Sequence, residues 1–355
     1  MRLETLLPLG KVDPGLRQPE LALDLATIAD DARLVESLGY DALMVEETKL
    51  DPFIVIALAA QATTTLKLGT AVAIAFPRSP TVTAMSAWTL QKLSGGRFTL
   101  GLGPQVKGHI ERRYGMKWSP AGPWMREYIR AVRAVWDCWQ HGTPLNVQGE
   151  HYNLNLMVPL FNPGPIEHPD IPIHLAAVNP TICRVAGELA DGVRPHPVCT
   201  AEYIEHVMMP AVRQGATKAE RDLKGFKISI KPLIATAANA TALAPKIRDV
   251  RARVAFYAST PAYRAAFEFH GLGALADSLS ILSRQQRWEE MPDFISDEIL
   301  EKYAVVGTFK EIGEKLKQRY GHIVTNAEFS IPIANEQDQQ TLRNLISDIH
   351  QLSAP

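Results

Sequence analysis

Short apolar runs alternate along the chain with stretches whose apolar residues recur every three or four positions. Residues 3–9 form an apolar run that ends at Gly10 and reads as a buried strand. Leu21, Leu25, Ile28, Ala32, Val35 and Leu38 then recur at helical spacing, and Gly39 closes the pattern. Residues 42–45 are a second strand running into the polar Glu46-Glu47-Thr48. Asp51-Pro52 opens the next helix, because a proline in the first helical position forgoes an N–H that has no partner there. Residues 66–74 read as the third strand; Ser79-Pro80 starts a helix through Leu93, and Gly95-Gly96 ends it. The fourth strand is 98–102. The rhythm returns with strands at 173–177, 192–194, 226–235 and 324–333, and with helices begun by Asn179-Pro180 and over 202–213. Eight such strands without a duplicated half predict an α/β fold, a closed (β/α)8 TIM barrel, rather than an open doubly wound sheet.

Two stretches exceed one strand-helix unit, so the single barrel domain of 1–355 is expected to carry insertions at 107–172, after strand four, and 239–297, after strand seven. In the first, Met125, Tyr128, Ile129, Val132, Val135, Trp136 and Trp139 make one apolar stripe. A face packed on the barrel is the plainer reading and a homodimer contact over the helix from Trp124 to Trp139 the alternative. The second stretch is helical and aromatic (Phe256, Tyr257, Tyr263, Phe267, Phe269) and is expected to cover the barrel mouth or an end.

Composition narrows the partners. Lys plus Arg number 37 against 38 Asp plus Glu, a net charge of -1, which leaves no basic footprint for nucleic acid or an anionic membrane. Cys138, Cys183 and Cys199 are too few and too scattered for a disulfide framework or a zinc site. The N-terminal residues lack a cationic segment followed by a long apolar run, and no window is apolar enough to span a membrane. A cytoplasmic enzyme is expected.

Several chemistries lack their motifs. Gly101-Leu102-Gly103-Pro104-Gln105 starts like a dinucleotide fingerprint but has no third glycine, and a proline stands where a helix should open. No phosphate-binding loop, zinc-binding helix or nucleophile elbow is present, and no metal is expected. Barrel chemistry sits at the C-terminal ends of the strands. Those ends read Glu46-Glu47-Thr48, Ala73-Ile74-Ala75-Phe76, Gly103-Pro104-Gln105, Ala177-Val178-Asn179 and Arg194-Pro195-His196. Poor in acid/base groups and rich in small residues, they suit a flat cofactor held by backbone contacts better than hydrolysis.

Leu68-Gly69-Thr70-Ala71-Val72, the run Leu93-Ser94-Gly95-Gly96-Arg97-Phe98 continuing to Gly103, Ala176-Ala177-Val178-Asn179-Pro180 and Ala186-Gly187-Glu188-Leu189-Ala190-Asp191-Gly192 together resemble the bacterial-luciferase-like oxidoreductase superfamily. Ala75-Phe76-Pro77-Arg78-Ser79-Pro80 and residues 105–113 are most similar to its coenzyme F420-dependent subgroup. The resemblance implies a deazaflavin, with FMN as the alternative cofactor, and a small organic substrate. It also implies a homodimer, and a non-prolyl cis peptide at Ala71–Val72 behind the cofactor ring. Ala71, Val72 and Ala73 would back the ring, and Gly103, Pro104 and Gln105 would lie along it, although Gly103 also fits a strand-end turn. Ala177, Val178 and Asn179 would hold a phosphate, or Asn179 would only cap its helix. Glu47 and His196 are the candidate proton-moving groups. A surface pairing of Glu47 with Lys49 and a structural role for His196 are the alternatives. Hydride transfer to or from a deazaflavin is thus the leading expectation. An FMN-dependent, O₂-consuming monooxygenase comes second and a non-catalytic flavin-binding barrel third.

Overall fold

Eight parallel strands close on themselves in the computed structural model, which describes residues 1–10 and 23–352. They are β1 (Arg2–Leu6), β2 (Ala42–Val45), β3 (Lys67–Thr70), β4 (Phe98–Gly103), β5 (Ile173–Ala177), β6 (Gly192–Pro195), β7 (Lys227–Ile230) and β8 (Asn326–Glu328). Each pairs with its sequence neighbours, and β8 closes the ring by pairing with both β7 and β1. The predicted (β/α)8 barrel is therefore present. Leu21 of the first predicted helix lies outside the described residues; the helix itself is Ile28–Ser37.

Four predicted strands are shorter than their apolar runs, the first of them, 3–9, ending at Leu6. The run 66–74 is interrupted after Thr70, where the Ala71–Val72 peptide is cis, and resumes as Ala73–Ile74 beside β4. The run 226–235 breaks at Lys231-Pro232, since a proline has no N–H to give a ladder. Its second half, Leu233–Ala237, leaves the barrel and pairs in parallel with Ala304–Thr308, a strand the hydrophobic pattern does not single out. Of the run 324–333 only Asn326–Glu328 pairs.

The stripe on the helix Ala121–His141 is buried within the chain. The Trp136 indole donates to the Ala84 carbonyl (3.1 Å), Tyr128 shares a hydrogen bond with Thr83 (2.5 Å), and Trp88 lies against Trp136 and Trp139. That packing corrects the alternative of a homodimer contact through Trp124 to Trp139: these side chains have no outward face to offer. Among the described residues no helix is long and apolar enough to cross a membrane.

The helices after β5 and β6, Pro180–Leu189 and Met209–Lys218, cross with backbones almost touching. A Cβ on Gly187 would stand 1.9 Å from the Val212 carbonyl oxygen, and one on Gly215 2.0 Å from that of Arg184. Gly187→Ala must push the helices apart, and is expected to destabilise the chain by about 3 kcal/mol. A stability loss in urea unfolding of less than a quarter of that amount would show the crossing to be adaptable.

Candidate active site at the barrel mouth

Alternation along each strand decides which side chains enter the barrel. Glu4 of β1 pairs with Arg194 of β6, and because β7 and β8 stand between those strands, the pair must cross the interior. Leu6, Ala42 and Met44 cluster there with Ala71, and Met44 fits because residue 69 is glycine, where a Cβ would stand 2.7 Å from Met44 Cε. Where barrels of this type usually pack branched aliphatics, this one holds Glu4, Gly69, Gly101, His174, Gly192, Arg194 and Ser229.

One layer higher, at the C-terminal mouth, Lys231 follows β7. Its Nζ lies 3.0 Å from Glu46 Oε1 and 3.4 Å from Glu328 Oε1, at the ends of β2 and β8. All three continue the inward-facing parity of Ala42, Met44, Ser229 and Asn326. They form a charged wall on the β7–β8–β1–β2 side. The sequence reading missed it: taking strand seven through to residue 235 hid Lys231 inside a strand. Glu46 was legible, because it stands two and four residues beyond Met44 and Ala42.

The opposite side is apolar. Ala71, Val72 and Ala73 bulge against β4, where a Cβ on Gly103 would come within 2.6 Å of Val72 Cγ2 and one on Gly101 within 1.9 Å of the Thr70 carbonyl oxygen. The Ala75 N–H donates to the Gly103 carbonyl at 3.0 Å, locking bulge to strand end. Pro104 follows, and Gln105 turns the chain with a φ of 58° while its own Oε1 accepts the Val106 N–H. Next around the ring, the His196 N–H donates to the Ala177 carbonyl (3.3 Å), and Tyr203 donates to the Val178 carbonyl (3.2 Å). The structure thus brings Ala71–Ala73, Gly103, Ala177 and His196 into one crescent.

His196 is built into an aromatic corner. Its ring stacks on Tyr263, centroids 4.0 Å apart, and meets the edge of Tyr257 at 4.8 Å. Both tyrosines come from the excursion after strand seven, which covers this part of the mouth as its aromatic content suggested. Burial first, then the neighbouring Tyr257, pushes the Tyr263 phenol up to about 12, so it stays a donor.

Glu47 sits on the other parity. Its Oε2 accepts the Ile74 N–H (2.8 Å) and Arg78 Nη1 (2.6 Å), while Arg78 Nη2 reaches Asp51 (3.0 Å). The ion-pair partner of Glu47 is Arg78, where a surface pairing with Lys49 was the expected alternative. Beside it the Tyr114 hydroxyl is buried and has no hydrogen-bond partner among the described residues. Asn179 precedes the helix Pro180–Leu189 in extended conformation, yet its side chain makes no capping bond. The side chain and the first helical N–H groups are turned to no partner within that helix, a donor set suited to an anion. The carboxylates of Glu127 and Glu150 and the ring of His151 also approach one another. There, however, Glu127 accepts the N–H groups of Glu150 and His151, so it holds a turn.

Known proteins resemble this chain over most of its length. The family model for luciferase-like monooxygenases matches residues 1–326. An uncharacterized protein of Mycobacterium tuberculosis is 39% identical over 324 residues, covering 91% of this chain and 94% of the relative. A protein of the same organism provisionally named a coenzyme F420-dependent oxidoreductase is 29% identical over 85% of this chain and 88% of its own. Among solved structures, the coenzyme F420-dependent tetrahydromethanopterin reductase of Methanopyrus kandleri superposes with a TM-score of 0.75 at 18% identity, covering 99% of each chain. The EDTA monooxygenase of Chelativorans sp. BNC1 gives 0.76 at 12%, over 99% of this chain and 94% of its own. At such identities the structural matches speak for the fold, and the sequence matches for the family. With the family model covering the barrel from its first strand to the start of its last, this chain is an enzyme of the luciferase-like monooxygenase family.

Proposed function

We propose that the chain transfers a hydride between reduced coenzyme F420 and a small organic substrate lying across the barrel mouth. The observation that carries this reading is the division of the mouth into an apolar, glycine-backed crescent facing a charged wall. A flat ring fits against Ala71, Val72, Ala73 and Gly103, with Pro104 and Gln105 along its edge. Ala177, Val178 and Asn179, with the helix start behind them, would hold its phosphate. The deazaflavin supplies a hydride equivalent when bound; orientation and exclusion of water are the protein's part. The similarity to the provisionally named F420-dependent relative favours the deazaflavin over FMN.

In this reading His196, fixed between Tyr257 and Tyr263, moves the proton that accompanies the hydride. Glu47 acts as a positioning carboxylate, holding Ile74 and Arg78 so that the crescent keeps its shape. We further propose a homodimer, with a contact elsewhere than the buried tryptophan stripe.

Parallel fluorescence titrations with F420 and FMN, oxidised and reduced, test the assignment. Preferential binding of the deazaflavin is expected. Tight binding of reduced FMN with faster oxygen consumption would instead make the protein a monooxygenase, and binding of neither would remove this reading and leave only the barrel. Gly103→Ala, whose methyl group would displace Val72, should weaken cofactor binding at least tenfold with an unchanged circular dichroism spectrum; retained affinity would sink the location. His196→Gln should lower turnover about 100-fold with cofactor affinity unchanged, the usual size of a general acid-base contribution.

A further inference from the structure

The barrel has a second opening. At its N-terminal end, opposite the mouth, a cavity of about 310 Å³ enters between the strand starts. That is many times the roughly 15 Å³ one water requires. Arg2, Lys67, Lys227 and Asn326 open β1, β3, β7 and β8, two residues before the inward-facing Glu4, Gly69, Ser229 and Glu328. Alternation therefore turns all four toward the barrel axis, and all four line the cavity. His174 of β5 lines it from deeper in: it is 7% exposed, and its Nδ1 has no hydrogen-bond partner among the described residues. Its Nε2 edge borders the space that Gly192 leaves free, where a Cβ would come within 2.9 Å of that nitrogen.

Most charges in this lining are already committed. Glu4 holds Arg194. Asp41 accepts the Leu3 N–H and meets His350, and Asp191 takes Arg133, Arg221 and the Ile173 N–H. Arg97 spends its guanidinium on the carbonyls of Ala60, Thr63, Leu66 and Ser94 and on the Thr63 hydroxyl. Arg2, Lys67 and Lys227 differ: none of them makes an ion pair or a side-chain hydrogen bond among the described residues. The carboxylate that remains, Asp170, is exposed at the rim. Three uncommitted cations around a concave space focus positive potential into it. Burial first, then Arg194 and Lys227, keep His174 neutral, so the imidazole has one N–H to give. Cations from three strands match the three terminal oxygens of a phosphate group, where a carboxylate has two, and charge-assisted hydrogen bonds to such oxygens are the strong ones.

We propose that this vestibule binds a phosphate group, free or as the monoester of a small metabolite, between Arg2, Lys67 and Lys227, with Asn326 and His174 as neutral donors. The site lies at the far end of the barrel from the mouth and does not rest on the hydride-transfer reading. The full chain is titrated calorimetrically, at constant ionic strength, with inorganic phosphate and separately with glycerol 3-phosphate. Saturable binding is expected, and the tighter of the two ligands tells free phosphate from ester. Lys67→Gln/Lys227→Gln should bind it about tenfold more weakly, the scale of lost charge-assisted hydrogen bonds, with an unchanged circular dichroism spectrum. Lys67→Gln alone, a change at the exposed rim, should show part of that loss, and Lys67→Arg/Lys227→Arg should restore the affinity. An excess of F420 should leave the phosphate isotherm unchanged. Absence of saturable binding, or equal affinity in the double glutamine variant, overturns the site. Displacement of phosphate by F420 does so too, because it would put the anion at the mouth.

Discussion

Arg194→Met is expected to destabilise the barrel by about 3–5 kcal/mol, the cost of leaving a buried charge without its partner. Glu4 and Arg194 are 1% and 8% exposed, and both carboxylate oxygens face the guanidinium. Removing the cation leaves Glu4 buried beside Ala42 and Met44, without the guanidinium that faces both its oxygens. A natural domain is stable by about 5–15 kcal/mol, so the loss should be plain in guanidinium unfolding at neutral pH. The double variant Glu4→Leu/Arg194→Met should recover most of it, because a buried pair replaced by apolar groups of similar volume is often neutral. A single variant within 1 kcal/mol of the parent would mean that water reaches the pair, and that the interior is open rather than packed.

Stability is also expected to fall as the pH drops below about 6.5, through His174. Burial above all, and then the positive charges of Arg194 and Lys227, hold the imidazole down at about 3. The unfolded chain takes up that proton near pH 6.5 and the folded one does not, so between those values the unfolded state binds more protons and stability rises with pH. The contribution is fully present above about 6.5 and is lost on acidification toward 3, at up to about 1.4 kcal/mol per pH unit. Carboxylates obscure the lower part of this range. The comparison is therefore made between about pH 5 and 6.5, where the parent should lose about 2 kcal/mol and His174→Leu far less. The leucine leaves no new orphan, since His174 Nδ1 already lacks a partner among the described residues. Equal slopes for the two proteins would place a protonated histidine, or its solvent, inside the barrel.

Helix starts were the most legible features. Asp51-Pro52 and Ser79-Pro80 open helices at Pro52 and Pro80, and the side chains of Asp51 and Ser79 accept N–H groups two residues on (2.9 and 3.2 Å). These are local events, decided by residues within one turn of each other. Asn179-Pro180 marks its helix equally well, but its idle side chain shows that a good cap by type need not cap. Strand ends were less legible. An apolar run does not say where pairing stops, and Pro232 turns half of one run into a different sheet.

The eight-strand count and the (β/α)8 class were readable from the local pattern of the chain, and the cis peptide at Ala71–Val72 was what the family resemblance implied. The Glu4–Arg194 pair, 190 positions apart, and the Glu46–Lys231–Glu328 wall exist only once the barrel closes. So does the engagement of Glu47 by Arg78, 31 positions apart. Charges are common and their partners are chosen by register and parity across the ring. The sequence alone determined the kind of barrel, because strand-helix alternation is local, and tertiary structure decided which charged groups face each other across its mouth.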